Sequence, residues 1–162
     1  MRTARVLFVC TGNICRSPTA EAVLRQMAED AGLAARVVCD SAGTEDWHAG
    51  KAPDPRSVRA ASLRGYDLVE LRARKLELAD FAAFDLLIGM DGGHVERITK
   101  MRPRGARSQV ATFLSFAPNL IARYGADVPD PFPGTEDDFE HALDLIEQGT
   151  QGLLAALRRD YL

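Results

Sequence analysis

Apolar positions in this chain fall into short clusters that alternate between two periods. Val6-Leu7-Phe8-Val9 is a continuous apolar run of strand formers, the pattern of a strand buried on both faces of a parallel sheet. After a polar stretch, Val23, Leu24, Met27 and Ala31 recur at helical spacing, with Ser17 placed as cap, Pro18 at the first helical position and Gly32 as stop. Arg36 to Asp40 predicts a second strand, and Ser41 to Arg56, with Gly43, Gly50, Pro53 and Pro55, predicts an ordered loop. A helix from about Ser57 to Arg64 closes at Gly65. Phe84 to Gly89 predicts a third strand, Gly93 to Met101 a helix, and Ser108 to Phe113 a fourth strand. Beyond the Pro/Gly-rich stretch Pro129 to Gly134, Thr135 and Asp138 form a capping-box pattern. The helix they open carries Phe139, Leu143, Ile146, Leu153 and Leu157 on one face, which should cover the sheet.

Strands alternating with helices imply an α/β fold: a four-stranded parallel sheet with helices on both faces, whose ligands bind beyond the carboxyl ends of the strands where strand order reverses. The loop after the first strand, beginning at Cys10, stands at such a place. No repeat, low-complexity tract or linker divides the chain. With 162 residues, 46% hydrophobic and 27% charged, a single domain spanning 1–162 around one core is expected.

Charge and cysteine content narrow the function classes. A formal net charge of -3 supplies no broad positive field for a nucleic acid or an anionic membrane, so any anion site must be local. Three cysteines, Cys10, Cys15 and Cys39, are too few and too unevenly placed for a disulfide framework and fit a reducing compartment. The apolar stretch from Val6 to Cys10 is too short for a signal peptide, and no membrane-spanning run follows, which makes the cytoplasm the expected location. The absence of a G-x4-G-K-[ST] run excludes a P-loop nucleotide enzyme. Scattered histidines, His48, His94 and His141, and the lack of paired ligands argue against zinc, and no metal or cofactor is expected.

The chemistry concentrates in Cys10-Thr11-Gly12-Asn13-Ile14-Cys15-Arg16-Ser17, a loop with a cysteine at one end and an arginine at the other. A loop this short must wrap tightly to enter a helix, turning backbone N–H groups inward toward the positive helix end and making an anion cradle. Gly12 and Asn13 are the residue types best suited to the left-handed backbone such a nest uses. Arg16 adds a planar fork of donors for two phosphate oxygens, a geometry lysine lacks. The same field is expected to lower the Cys10 pKa from about 8.5 into the roughly 3.5–7.5 range of activated thiols, so that Cys10 attacks phosphorus as a thiolate. Ser17 is placed to donate to that thiolate or to cap the helix.

The run from Val9 to Pro18, with Ala20-Glu21-Ala22, resembles the low-molecular-weight protein tyrosine phosphatases. In the same order, Asp40-Ser41-Ala42-Gly43, Asp46-Trp47-His48, Pro53-Asp54-Pro55-Arg56, Met90-Asp91 and Asp130-Pro131-Phe132 are similar to that family, so the resemblance spans nearly the whole chain. It implies a flavodoxin-like three-layer fold of the phosphotyrosine phosphatase I type. It also implies hydrolysis of phosphotyrosine, in proteins or small aryl phosphates, through a phosphocysteine on Cys10. Asp130, stiffened by Pro129 and Pro131, is implied as general acid and then base; by residue type alone it would pass for a turn residue. Trp47 and Phe132 are implied as aromatic walls of the pocket, and a cognate tyrosine kinase system as the source of substrate. For Cys15 the resemblance suggests a reversible disulfide with Cys10, the alternative being simple packing.

Two positions depart from the family pattern. Pro133 replaces a rim tyrosine and removes a phosphorylation site, while Leu71 stands where many relatives carry a histidine bonded to the loop asparagine. Asn13, Ser17 and Ser41 then need another partner, such as water. A protein arginine phosphatase on the same scaffold is the nearest rival; there the position of Ile14 tends to be threonine. Thiol-dependent arsenate reductase needs cysteines beyond Cys39, and none follow. A catalytically idle phosphopeptide-binding module would have no use for Cys10, Arg16 and Asp130 together.

Overall fold

β1 (Ala4–Cys10) runs through the middle of a parallel sheet of order β2-β1-β3-β4, flanked by β2 (Val37–Gly43) on one side and β3 (Leu86–Gly89) on the other. The computed structural model describes residues 2–162. β4 (Gln109–Thr112) completes the sheet beside β3, with Leu86 opposite Gln109 and Gly89 opposite Thr112. Because β2 and β3 leave from opposite sides of β1, the carboxyl end of β1 is the switch point of the sheet, and Cys10 is its last residue.

The two-residue period of β1 divides the core. Val6 and Phe8 join the cluster under α1 (Arg16–Asp30) and α6 (Glu136–Asp160), while Leu7 and Val9 pack with Leu87 and with Ile98 of α4 (Gly92–Met101) on the other face. Phe8 meets Phe113 edge-on, ring centroids 6.1 Å apart. Asp138 accepts the Thr135 backbone N–H at 2.7 Å, closing one half of the expected capping box at the start of α6. Gly152 inside α6 costs about 1 kcal/mol relative to alanine. The reason for it is contact: an added Cβ would stand 1.9 Å from the Phe116 carbonyl oxygen.

Several boundaries differ from expectation. β2 continues through Ser41, Ala42 and Gly43, which pair with Phe8, Val9 and Cys10, because the sheet partner of β1 extends beyond the apolar part of β2. α2 (Pro55–Ser62) begins two residues earlier than expected, since Asp54 caps it through the Arg56 N–H and Pro55 takes the first position. The short helices α3 (Asp80–Ala83) and α5 (Pro118–Tyr124), and a 3-10 turn over Phe113–Phe116, had no periodic signal long enough to read. Among the described residues, no helix is long and apolar enough to cross a membrane.

Candidate active site

Between β1 and α1 the chain turns through Thr11–Cys15 with a consistent backbone polarity. The carbonyls of Cys10, Thr11 and Ile14 point away and accept from the N–H groups of Thr44, Glu45 and Asp54 at 2.8–3.0 Å. The N–H groups of Thr11, Gly12, Asn13, Ile14 and Cys15 find no acceptor among the described residues. Five neighbouring donors with no protein partner, at the head of a fifteen-residue helix, form a nest for an anion.

Asn13 takes the left-handed backbone expected of it, with φ 58°. Gly12 does not; an added Cβ would come within 2.7 Å of His48 Cδ2, so a larger residue there would have to displace the His48 ring. Nor does Ser17 cap the helix. α1 starts at Arg16 with Cys15 in the cap position and no side-chain cap, which frees the Ser17 hydroxyl for the interior.

That hydroxyl lies 2.9 Å from Cys10 Sγ. Asn13 Nδ2 donates to Ser17 Oγ at 2.8 Å and to Ser41 Oγ at 3.0 Å, while Ser41 donates to Glu21 Oε1 at 2.7 Å. Glu21 orients Ser41 and Asn13 spends its amide protons on the two hydroxyls, so the Ser17 proton faces two acceptors, Cys10 Sγ at 2.9 Å and, farther off, the Ala42 carbonyl at 3.4 Å. The Arg74 N–H holds Asn13 Oδ1 at 3.0 Å. Glu21 and Arg74 are therefore partners that Leu71 does not supply; Leu71 packs against the core. Burial pushes the Glu21 carboxyl above its usual range, against hydrogen bonds from Ser41 and Arg25.

Arg16 is buried, and Asp91 Oδ2 at 2.8 Å and the Val128 carbonyl at 3.0 Å hold one side of its guanidinium. Nη2 on the other side stands 4.0 Å from Asp130 Oδ2. Asp91 also caps α4 through the His94 N–H, and its own N–H donates to His94 Nδ1 at 3.2 Å. The His94 proton therefore sits on Nε2, which donates to Thr11 Oγ1 at 2.9 Å. Burial pushes the His94 pKa down to about 4, against the pull of Asp91.

Below about pH 6.5 the unfolded histidine takes a proton that the folded one refuses until about pH 4, so stability falls as pH drops through that window. The loss is about 3 kcal/mol. His94→Gln, whose amide can serve both contacts, is expected to remove it in denaturant unfolding between pH 7 and pH 4. Identical pH slopes for the two proteins would show that His94 titrates normally.

Cys10, Ile14, Arg16, Trp47, His48, Asp130 and Phe132 line one open pocket of about 140 Å³ over this loop. Asp130 is half exposed, and its Oδ1 accepts the Phe132 N–H at 3.1 Å. At the rim Trp47 stands largely in solvent and Phe132 is half exposed. The ring neighbour of Phe132 is His48, at 6.5 Å. Cys10, Cys15 and Cys39 are free buried thiols. Burial pushes the Cys15 thiol up to about 12, with Ser57 working against it, and the buried side chain joins the core cluster.

Fold and loop together define a phosphatase of the cysteine-loop class, built on a four-stranded parallel α/β sheet. A model described as low molecular weight phosphotyrosine protein phosphatase matches residues 5–161, and the chain belongs to that family. A low molecular weight protein-tyrosine-phosphatase of Streptomyces coelicolor is 43% identical over 156 residues, covering 96% of this chain and 94% of the relative. The crystal structure of YfkJ from Bacillus subtilis superposes with a TM-score of 0.90 at 33% identity, covering 99% of this chain and 98% of that one. A Drosophila arginine phosphatase superposes at 0.87 with 27% identity, over 99% of both chains.

Asp91, His94, Glu21, Arg74, His48 and Arg56 have no assigned role in the sequence reading. A signal existed for three of them. Asp91-x-x-His94 after a strand is a capping-box spacing, and Glu21 is a lone charge between Ala20 and Ala22 on a helix whose first turns are buried.

Proposed function

We propose that residues 1–162 form one phosphatase domain that hydrolyses phosphotyrosine by two transfers at phosphorus. In the first, the Cys10 thiolate attacks phosphorus, the bond to the aryl oxygen breaks, and Asp130 gives its proton to that oxygen. In the second, water attacks the phosphocysteine, Asp130 takes its proton, and the sulfur–phosphorus bond breaks to release inorganic phosphate. Ser17, at 2.9 Å from sulfur, stabilises the departing thiolate. The N–H groups of residues 11–17 and the Arg16 fork hold the equatorial oxygens, and Trp47 and Phe132 flank the ring.

The observation that carries this reading is that Cys10 and Arg16, from the two ends of one loop, and Asp130, from a segment more than a hundred residues on, line one pocket. Substrates are phosphotyrosine proteins or small aryl phosphates made by a tyrosine kinase system. Three free thiols support residence in the cytoplasm.

The test is kcat/KM, in chelator-containing buffer, on a phosphotyrosine peptide beside its phosphoarginine counterpart. A strong preference for phosphotyrosine is expected, with the Ile14 side chain in the pocket lining where the arginine phosphatases tend to carry threonine. Preference for phosphoarginine would keep the scaffold and overturn the substrate, and turnover of neither would leave a binding module. Asp130→Asn is expected to lower kcat/KM about 10²–10⁴-fold for phenol-like leaving groups and far less for nitrophenols. Equal losses across that series would remove Asp130 from the acid role.

A further inference from the structure

The loop carrying Asp130 is fixed differently at its two ends. On the near side Val128 donates to the Met90 carbonyl at 3.0 Å and accepts from Arg16. On the far side one side chain reaches in from α2: Arg56 donates through Nη2 to the Phe132 carbonyl at 3.0 Å and through Nη1 to the Gly134 carbonyl at 3.4 Å. Its guanidinium stands 5.5 Å from the Phe132 ring centroid and 4.5 Å from that of Phe139.

Asp54 aims this guanidinium. Its carboxylate accepts from Arg56 Nε at 3.1 Å and from Nη2 at 2.9 Å, in the paired geometry that lysine cannot supply. Asp54 is itself buried, and its N–H donates to the Ile14 carbonyl at 2.8 Å, inside the nucleophile loop. One continuous connection thus runs from Ile14 through Asp54 and Arg56 to Phe132. The peptide groups flanking Phe132 are then held from both directions: Arg56 takes the carbonyl and Asp130 Oδ1 takes the N–H.

Helix stability does not account for this arginine. Arg56 is the second residue of α2, where a cation opposes the helix dipole. We propose that Arg56 is a positioning residue for the general acid, clamping Phe132 and Gly134 so that the Asp130 carboxyl stays registered on the nucleophile loop. The proposal rests on Asp130 being that acid.

The experiment is a leaving-group series of aryl phosphates measured for Arg56→Lys and Arg56→Gln, each alone and combined with Asp130→Asn. Arg56→Lys retains an ion pair with Asp54, and melting curves verify that each variant is folded at the assay temperature. In the otherwise wild-type protein, kcat/KM is expected to drop about 10–10²-fold for poor leaving groups and little for nitrophenols, with competitive inhibition by inorganic phosphate unchanged. In the Asp130→Asn background the same substitutions should have almost no further effect. A uniform loss across leaving groups, or an undiminished loss in the Asp130→Asn background, would overturn the clamp. A flat series for Asp130→Asn alone would instead overturn the acid assignment.

Discussion

Serine in place of Cys10 is expected to bring hydrolysis of phosphotyrosine to background, a loss of at least about 10⁴-fold in kcat/KM. The substitution exchanges one atom in a buried site and leaves every donor of the cradle in place. The new hydroxyl finds no base in its neighbour. Ser17 Oγ already accepts from Asn13, so it offers a proton rather than removing one. Fold and ligand capture should survive. Calorimetric titration with a phosphotyrosine peptide should give an affinity close to that of the wild-type cradle, and the melting temperature should be unchanged. Turnover within about a hundred-fold of the wild type would eliminate the covalent step, as would failure to find phosphate on the Cys10 peptide in acid-quenched wild-type enzyme.

Arg16→Lys is expected to be nearly as damaging, about 10²–10³-fold in kcat/KM, although it conserves charge. Asp91 and the Val128 carbonyl occupy one side of the guanidinium, leaving the other side for phosphate oxygens. An ammonium that satisfies Asp91 has no second face to offer, and one that turns to the substrate leaves Asp91 with its charge uncompensated. The loss should show in phosphate inhibition as well as in turnover. If lysine supports turnover within about three-fold of the wild type, the fork is not needed for the transition state.

Much of this was legible before any coordinates. The four strands, α1, α4 and α6 announce themselves through apolar runs or helical spacing long enough to count, and the Cys10–Ser17 loop through its residue types. Local pattern ends β2 early because Ser41 and Gly43 look like loop residues; what makes them strand is the backbone of Phe8 and Cys10 beside them, a partner invisible to local pattern. For Gly12 local pattern points to backbone freedom, whereas the contact that acts on it comes from the His48 ring, thirty-six positions away. The support of the site was the least legible part. Glu21, Arg56 and His94 act through hydrogen bonds to Ser41, Phe132 and Thr11, and no spacing rule connects residues brought together by the sheet.

On the proposed mechanism, the amides of the Cys10 loop that have no acceptor among the described residues recognise a tetrahedral oxyanion, whatever group that anion is attached to. Inorganic phosphate, the last species to leave, meets the same loop amides and the same arginine as the incoming ester. Every turnover therefore ends with the enzyme in a complex that its own architecture stabilises. The free-phosphate concentration around the protein becomes a throttle on its rate, tightest where phosphate is plentiful and phosphotyrosine scarce.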